Sequence, residues 1–307
     1  MQARYDARSK TVPEPQKLWR EASKAIAPRV GLRRILCVSD LQGSADLALD
    51  RAAALSTQFD ASLHILYAAQ DTGAGPVLHL IRRRDRMGPA GRMEMFAERP
   101  TPDSVEMRAI SSPLYEAIAN VSRQFSIDLI VATDAGASWP NMERIIRAAA
   151  APVLIVRREV SNPYQRITVA SDLSESSVKL GRTMAAYGCL DAASVSFIHG
   201  FGMPYRGLRD FPRTPPAHLD PYRNGWRHFA LRHLRADAAR AGLEGSHLKF
   251  DADLATPIDF IEKHVTNARS DLLVAGTSRF IRLKRILGKS VTHQILDRID
   301  CDILFVP

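Results

Sequence analysis

The 307-residue chain lacks the features of membrane and secreted proteins. No apolar run approaches the ~20 residues that a membrane-spanning helix requires. The first thirty residues carry charged side chains of both signs and no apolar segment of the kind found in secretory signals. We therefore expect no contact with a membrane.

Cysteine is scarce as well. Cys37, Cys189 and Cys301 lie far apart in apolar segments, which fits reduced core thiols better than a disulfide framework or a zinc site. Reduced thiols are typical of cytoplasmic proteins. We predict a cytoplasmic location.

The chain also lacks recognisable catalytic motifs. It has no Gly-x-Ser-x-Gly or His-Glu-x-x-His sequence, and no cysteine has an obvious histidine partner. His199 and His264 lie in a predicted strand and a predicted helix, so we interpret both as packed or surface side chains. His228 and His233 are five residues apart, which does not suit two metal ligands on one helix. The sequence favours a protein that is not an enzyme.

The balance of charge is basic. A formal net charge of +9 and a pI near 9.7 favour weak, salt-sensitive attraction to nucleic acid, anionic lipid or phosphorylated ligands. Specific nucleic-acid binding does not follow, because zinc-finger spacing, basic regions with heptads and aromatic RNA-binding motifs are all missing. Hydrophobic residues make up 46% and charged residues 24%, as in globular proteins.

The sequence contains the same order of elements twice. Short apolar runs that end at polar residues alternate with helical periodicity, the pattern of buried parallel strands joined by helices. The segment Arg-Ile-Leu-Cys-Val-Ser-Asp at 34–40 corresponds to Arg-Ile-Thr-Val-Ala-Ser-Asp at 166–172. In the same way, Asp-Leu-Ile-Val-Ala at 128–132 corresponds to Asp-Leu-Leu-Val-Ala at 271–275. Apolar strands close the two halves at 152–156 and 302–306. This self-similarity predicts a duplicated α/β unit.

We divide the chain into three parts. Residues 1–30 are predicted to form an arm with a short amphipathic helix at 17–27, residues 31–160 a first domain, and residues 161–307 a second domain with an insertion at 200–242. The insertion begins with a proline-rich stretch and continues as a predicted helix at 222–241. One face of that helix is predicted to carry Trp226, Phe229, Ala230, Leu234 and Ala238. We interpret this face as core packing in preference to a partner-binding or lid role.

The repeated pattern, with its glycine loop after the fourth strand, resembles the universal stress protein family over residues 33–158 and 164–307. The resemblance implies an α/β fold with two flavodoxin-like, adenine-nucleotide-hydrolase-like, doubly wound parallel five-stranded sheets in tandem. In that family two units associate through their last strands. We therefore expect an internal pseudo-twofold pairing of the two domains, or pairing across a homodimer, since each last strand would otherwise be an exposed apolar edge.

The resemblance also implies a nucleotide site in the second domain. Nucleotide-binding relatives have a loop of the form Gly, two residues, Gly, nine residues, Gly, then Ser or Thr, in which backbone N–H groups and the next helix approach phosphate. Gly276 and Ser290 match this form, whereas Arg279 and Lys289 replace two glycines. The predicted ligand residues are Asp172, Gly276, Thr277, Arg279, Lys289, Ser290 and Val291.

The two replacements imply lost or altered ATP binding, because side chains now occupy the space of the phosphates. They are cationic, and no acidic residue lies between Gly276 and Ser290, so the loop could hold ATP or another phosphate-bearing ligand through charge. A solvated basic loop without a ligand is the alternative. In the first half the matching stretch, 133–141, is shorter and contains Asp134, so we expect it to bind no triphosphate.

Asp40 and Asp172 follow the first strand of each half, at the edge where open α/β sheets bind ligands. In nucleotide-binding relatives this aspartate lies near the adenosine, which makes Asp172 a candidate contact. The alternative role is a cap for the following helix, for which Ser174 competes.

Three functions stay open at this point. The leading hypothesis is a non-enzymatic stress-response or regulatory protein. The second is a nucleotide-binding member of ATP or AMP type, including a slow ATPase, and the third is a structural scaffold dimer.

Overall fold

A computed structural model of the protein describes residues 31–39, 47–71, 75–83, 104–107, 114–133, 142–159, 163–187, 194–202, 220–277 and 291–307. These residues belong to one compact unit, Gly31–Pro307. The predicted arm at 1–30 and its helix at 17–27 lie outside the described residues. We call residues 31–159 the N-terminal half and residues 163–307 the C-terminal half.

In the described parts of the chain, eleven strands form a single sheet. They are β1 (Arg34–Ser39), β2 (Ser62–Asp71), β3 (Gly75–Arg83), β4 (Ser104–Met107), β5 (Leu129–Thr133), β6 (Val153–Val156), β7 (Arg166–Ala170), β8 (Ser194–Phe201), β9 (Leu248–Leu254), β10 (Leu272–Gly276) and β11 (Asp302–Val306). Their order across the sheet is β4-β3-β2-β1-β5-β6-β11-β10-β7-β8-β9.

Helices cover both faces of this sheet. They are α1 (Leu47–Phe59), α2 (Leu114–Gln124), α3 (Met142–Ala148), α4 (Ser176–Ala186), α5 (Asp220–Arg240), α6 (Pro257–Ala268) and α7 (Val291–Arg298). Buried side chains of α1, α4 and α5 belong to the core on one face, and those of α2, α3, α6 and α7 to the core on the other. No helix in the described ranges is long and apolar enough to cross a bilayer.

Local sequence signals set some of the helix ends. In α6, Thr256 is the N-cap and its hydroxyl accepts a hydrogen bond from the Asp259 N–H. Pro257 occupies the first turn, where the missing N–H has no cost, as the sequence predicts. Arg269 ends the helix in the left-handed conformation with φ of 50°.

The C-terminal half has the predicted sheet. Its five strands pair in the order β11-β10-β7-β8-β9, and every pair is parallel. Strands of this kind are buried on both faces, and all five side chains of β11 are buried. The α/β fold class with a doubly wound parallel sheet is confirmed here.

The N-terminal half differs from the predicted five parallel strands. Six strands are described in it, because β2 extends to Asp71 and pairs antiparallel with β3, which pairs antiparallel with β4. The sequence analysis does not predict β3. Gly75–Arg83 returns along β2 as a hairpin strand, with Asp71 opposite Gly75 and Leu63 opposite Arg83.

The two predicted sheets form one continuous sheet. Strands β6 and β11 pair antiparallel, with Ile303 opposite Ile155 and Leu304 opposite Leu154. The hydrophobic core on each face runs across this junction, so both cores contain side chains from both halves. Antiparallel pairing of two parallel sheets gives strands of opposite direction on the two sides of the junction.

A buried polar cluster lies beside the junction. The carboxylate of Asp302, 1% exposed, accepts hydrogen bonds from Arg51 Nη2 at 3.3 Å and from the Tyr164 hydroxyl at 2.6 Å. It also accepts from the backbone N–H groups of Arg157 at 2.8 Å and Arg158 at 3.1 Å. The Arg51 guanidinium lies 4.5 Å from the centre of the Tyr164 ring. This Asp302 cluster joins α1, the connection between the halves and β11.

Helix α5 is where the sequence predicts it, but its buried face is different. Ala230, Leu234 and Ala238 are buried as expected. Trp226 and Phe229, predicted on the same face, are 43% and 38% exposed. The small alanine side chains let the helix approach the sheet closely, and the two large rings lie at the flank of the contact. Helical periodicity identifies an apolar stripe without showing which part of it the sheet covers.

The described cysteines are buried in the core. Both Cys37 and Cys301 are 0% exposed. Burial raises the pKa of the Cys301 thiol to about 12. Such a thiol is an inert core side chain.

Candidate functional site

The topology of the C-terminal half creates a switch point between β7 and β10. From β7 the chain proceeds outward to β8 and β9, and the later strands β10 and β11 lie on the opposite side of β7. In open α/β sheets, ligands bind outside the carboxyl ends of the strands at such a point. Ala170 pairs with Ala275, so Ser171 and Gly276 are level at this edge. Asp172 and Thr277 follow them.

Asp172 organises the loop between β7 and α4. Its Oδ1 atom accepts hydrogen bonds from the Ser174 N–H at 3.0 Å, from the Ser174 hydroxyl, and from the Ser177 hydroxyl at 3.4 Å. The residue at the N-cap position of α4, Glu175, makes no side-chain cap. Asp172 is half-buried. The N–H that donates to it belongs to Ser174, before α4 begins, so these contacts hold the loop, and the capping and ligand-contact roles stay predictions.

Ser171 and His199 support the same loop. Ser171 Oγ lies 2.7 Å from Ser177 Oγ and accepts from the Leu173 N–H at 3.0 Å. Leu173 has a φ of 57°, in the left-handed region that non-glycine residues rarely adopt. His199 Nδ1 lies 2.8 Å from the Ser171 carbonyl oxygen. His199 is therefore a packed histidine, as the sequence analysis expects.

Gly276 ends β10 with room beside it. A Cβ atom added there would meet Leu180 Cδ2 at 3.6 Å and the Val306 carbonyl oxygen at 4.0 Å, which are ordinary contacts. The packing of the chain itself does not require glycine at this position. The next residue, Thr277, is buried and its N–H donates to the Val306 carbonyl oxygen at 2.9 Å. That amide is therefore used within the sheet.

Helix α7 begins at the same edge, because it lies between the parallel strands β10 and β11. Its first residue is Val291, which is half-buried against the core, and Thr292 is buried. The first turn contains no acidic residue. A helix N-terminus of this kind favours negative charge. The predicted ligand residues Arg279, Lys289 and Ser290 lie outside the described residues.

Asp237 is a charged residue near this site that the sequence analysis does not identify. It lies on the buried face of α5 and is 7% exposed. Burial raises the pKa of the Asp237 carboxyl above its ordinary value; the Arg240 guanidinium, 3.3 Å away, and His233 oppose this rise, and the nearby Asp172 adds to it. Its position three residues after Leu234, among alanines, is the signal that places it on the buried face.

The matching edge of the N-terminal half is described only in part. Strand β5 ends at Thr133, and both Asp40 and residues 134–141 lie outside the described residues. The expectation that this half binds no triphosphate stays a prediction. Within the described ranges, no three His, Cys, Asp or Glu side chains are close enough together to hold a metal ion.

Solved structures share this fold over nearly the full chain. A protein of unknown function from Pseudomonas aeruginosa PAO1 is 18% identical, with a TM-score of 0.57, and the match covers 90% of this chain and 92% of that one. A protein of P. aeruginosa UCBPP-PA14 is 19% identical, with the same TM-score and coverage of 90% and 93%. A universal stress protein of Archaeoglobus fulgidus DSM 4304 is 12% identical, with a TM-score of 0.53 and coverage of 90% and 96%.

These identities show a shared fold. No curated protein matches the chain. The model of the Universal stress protein family matches residues 31–157. That segment contains β1 to β6 of the N-terminal half. The N-terminal half begins with a strand, a helix and a strand, and the C-terminal half begins with the same order. The N-terminal half therefore matches the universal stress protein family, and the chain as a whole shares its fold with the three solved structures.

Proposed function

We propose that the protein is a non-enzymatic regulatory member of the universal stress protein family that binds a nucleoside phosphate, such as ATP or AMP, in its C-terminal half. The observation that carries this proposal is the position of Asp172 and Gly276 on neighbouring parallel strands, at the carboxyl edge of the switch point. An altered mode of ATP binding is part of the proposal, because Arg279 and Lys289 replace two glycines of the family loop.

The distribution of charge along this edge supports one orientation of the ligand. Asp172 and Asp237 lie on the β7 and α5 side, where carboxylates suit the hydroxyl and N–H donors of a nucleoside. Gly276 and the N-terminus of α7 lie on the β10 side, where the first turn of the helix has no acidic residue. The phosphates would lie on the β10 side, because negative charge is favoured at a helix N-terminus.

The contacts of the polar side chains support binding in preference to catalysis. Asp172 Oδ1 accepts hydrogen bonds that hold the loop before α4, and His199 Nδ1 contacts the Ser171 carbonyl. A general base must be able to reach a water molecule or a substrate hydroxyl. In the described part of this edge, the acid and the imidazole are instead engaged in the structure of the loop. We expect phosphate release from bound ATP to stay at the uncatalysed rate.

The test is isothermal titration with ATP and magnesium on the full chain and on G276A. The variant should fold normally, since the added methyl group meets only ordinary contacts, and it should bind ATP at least several-fold more weakly because the methyl group lies beside the phosphates. Gly31→Ala is the matched control: Gly31 precedes β1, which β5, β6 and β11 separate from β10, and has no atom within 4 Å of an added Cβ. Absence of heat at high ATP concentration would exclude the nucleotide-binding hypothesis and leave the scaffold hypothesis.

A second pair of substitutions tests whether the loop holds phosphate through charge. Arg279→Ala with Lys289→Ala should weaken binding strongly while the protein stays folded, because charge-assisted hydrogen bonds to phosphate are lost. The assay is carried out at constant ionic strength, since weak attraction to a basic protein is screened by salt. Unchanged affinity would rule out the charge-based site.

Location and assembly complete the proposal. A cytoplasmic location fits the buried thiols of Cys37 and Cys301. A pseudo-twofold arrangement of the halves fits the antiparallel pairing of β6 with β11. Because both of these strands lie inside the sheet, a homodimer would have to use another surface.

A further inference from the structure

Helix α5 carries a row of aromatic rings in mutual contact. The ring centres of Tyr222 and Trp226 are 6.1 Å apart, those of Trp226 and Phe229 5.4 Å, and those of Phe229 and His233 4.0 Å. Trp226 and Phe229 are the exposed members. We call these four residues the α5 aromatic row. Large exposed rings in contact usually mark a binding surface.

One end of the aromatic row lies at the carboxyl edge of the sheet. The Tyr222 hydroxyl donates to the carbonyl oxygen of Gly202, the residue after β8, at 3.4 Å. Tyr222 and Leu173 both pack against a small cluster that includes Phe201 and Leu254, the last residues of β8 and β9. Leu173 directly follows Asp172. The row is therefore continuous with the loop that forms one side of the candidate nucleotide site.

The other flank of α5 is occupied by contacts with the sheet edge. Arg223 makes two hydrogen bonds of 2.7 Å to Asp253, and Arg227 contacts Asp251 at 3.3 Å and the Ala252 carbonyl oxygen at 3.0 Å. These arginines attach the helix to β9. The aromatic row lies on a different flank of the helix from these contacts.

The charges near the row suit a planar, hydrogen-bonding occupant. His233 and Asp237 are one helical turn apart on α5. Helix α4, whose Ser177 contacts Asp172, packs at Gly181 against the end of α5, so Asp172 lies on the same side of the helix. Aromatic faces stack on bases of any sequence, and carboxylates accept hydrogen bonds from their N–H groups.

We infer that the α5 aromatic row, through Trp226, stacks on the base of the nucleotide whose phosphates lie beside Gly276 and α7. The inference rests on the proposed function. Strands β10, β7 and β8 are neighbours, so the edge from Gly276 to Gly202 spans about 10 Å at ~4.8 Å per strand. A nucleotide lying across β7 bridges that span. The insertion at 200–242 thereby supplies part of the ligand site.

The test compares ATP with inorganic tripolyphosphate, which has the phosphates but no base. Titrations use the full chain and W226A, with magnesium and constant salt. W226A should bind ATP about tenfold more weakly, since loss of one stacked base costs on the order of 1–3 kcal/mol. Its affinity for tripolyphosphate should equal that of the unsubstituted protein. Trp226→Phe keeps an aromatic ring and should restore most of the ATP affinity.

The outcomes separate this inference from the proposed function. Binding of both ligands with no effect of W226A on ATP overturns the inference and leaves the proposed function; this is the result expected if residues 203–219 or a second copy of the chain cover the row. Equal weakening of both ligands also overturns it, because the effect would then be indirect. Absence of binding by either ligand to the unsubstituted protein overturns both. Tryptophan fluorescence gives an independent readout. ATP should quench the fluorescence of the unsubstituted protein and should not quench that of W226F. Quenching that persists in W226F would contradict the inference.

Discussion

The carboxylate of Asp302 holds together three parts of the chain. Its partners come from α1, from the connection after β6 and from Tyr164, two residues before β7. Asp302 and Arg51 are both less than 10% exposed, so the pair is shielded from water. A buried pair of this kind is weak evidence of net stabilisation, but loss of one partner leaves the other charge without its counter-charge.

Asp302→Ala should therefore lower the free energy of unfolding by about 3–5 kcal/mol, measured by urea denaturation at neutral pH. The matched control is Tyr164→Phe, which removes a single hydrogen bond to the same carboxylate and should cost about 1.5–3 kcal/mol, as for hydrogen bonds to charged groups. If the two variants were equally stable, the ion pair with Arg51 would contribute nothing beyond an ordinary hydrogen bond.

For single residues, the sequence predicts a structural role only where the residue's partners are close to it in the sequence. Thr256 and Pro257 can be identified as a helix start because their partners are within three residues. Arg51 and Asp302 are separated by 251 positions, so no local pattern reveals their contact. Asp172 is an intermediate case: its place at a strand end is predictable, whereas the hydrogen bonds to Ser174 and Ser177 that fix its carboxylate are not.

Among the elements, α4 and α5 cross at a glycine. A Cβ atom on Gly181 of α4 would lie 2.7 Å from Ala241 Cβ and 3.1 Å from Leu243 Cδ1, just after α5. The first distance is shorter than two carbon atoms tolerate, and a Cβ cannot move without its backbone. Glycine at this position therefore has a packing reason that outweighs its poor helix propensity.

Two glycine-to-alanine substitutions should change stability in opposite directions. Gly225→Ala in α5 has no neighbour within 4 Å of the new Cβ and should stabilise the protein by about 0.5–1 kcal/mol through helix propensity. Gly181→Ala should destabilise it by about 1–3 kcal/mol through overpacking. Thermal or urea unfolding of the two variants checks both signs. Stabilisation by Gly181→Ala would mean that the two helices separate easily.

The elements also show what periodicity can and cannot predict. The short apolar runs identify β1, β5, β6, β7, β10 and β11, because buried parallel strands are apolar throughout. The hairpin strand β3 is missed, since a Gly-containing stretch followed by arginines reads as a loop. For α5 the pattern gives both ends to within two residues, but Trp226 and Phe229 lie at the flank of its contact with the sheet. Which residues of a stripe are covered depends on the neighbouring strands and helix.

For the whole molecule, the pairing of β6 with β11 within one chain predicts how stability depends on protein concentration. Because the last strand of each half finds its partner in the same polypeptide, stability should not depend on association. We expect the urea midpoint to stay constant over a hundredfold range of protein concentration, since only coupled oligomerisation makes it concentration-dependent. A midpoint that rises with concentration would show that a homodimer contributes to folding, and sedimentation would then give its stoichiometry.

The topology of the candidate site follows from the sequence more completely than its chemistry does. The apolar strands Arg-Ile-Thr-Val-Ala and Asp-Leu-Leu-Val-Ala predict that Asp172 and Gly276 follow strand ends at one edge, and the pairing of β7 with β10 brings them there. The involvement of α5, and of Asp237 in particular, is not predictable because the insertion has no counterpart in the other half.

The junction of β6 and β11 joins two strands of different sequence, Val-Leu-Ile-Val and Asp-Ile-Leu-Phe-Val. In an assembly of identical subunits, every substitution at such a contact occurs on both sides of the symmetry axis and must be tolerated twice. Here each substitution occurs once. The two sides of the contact can therefore evolve separately, and an acidic residue can be placed on one of them, with its arginine on the other, without bringing two like charges together.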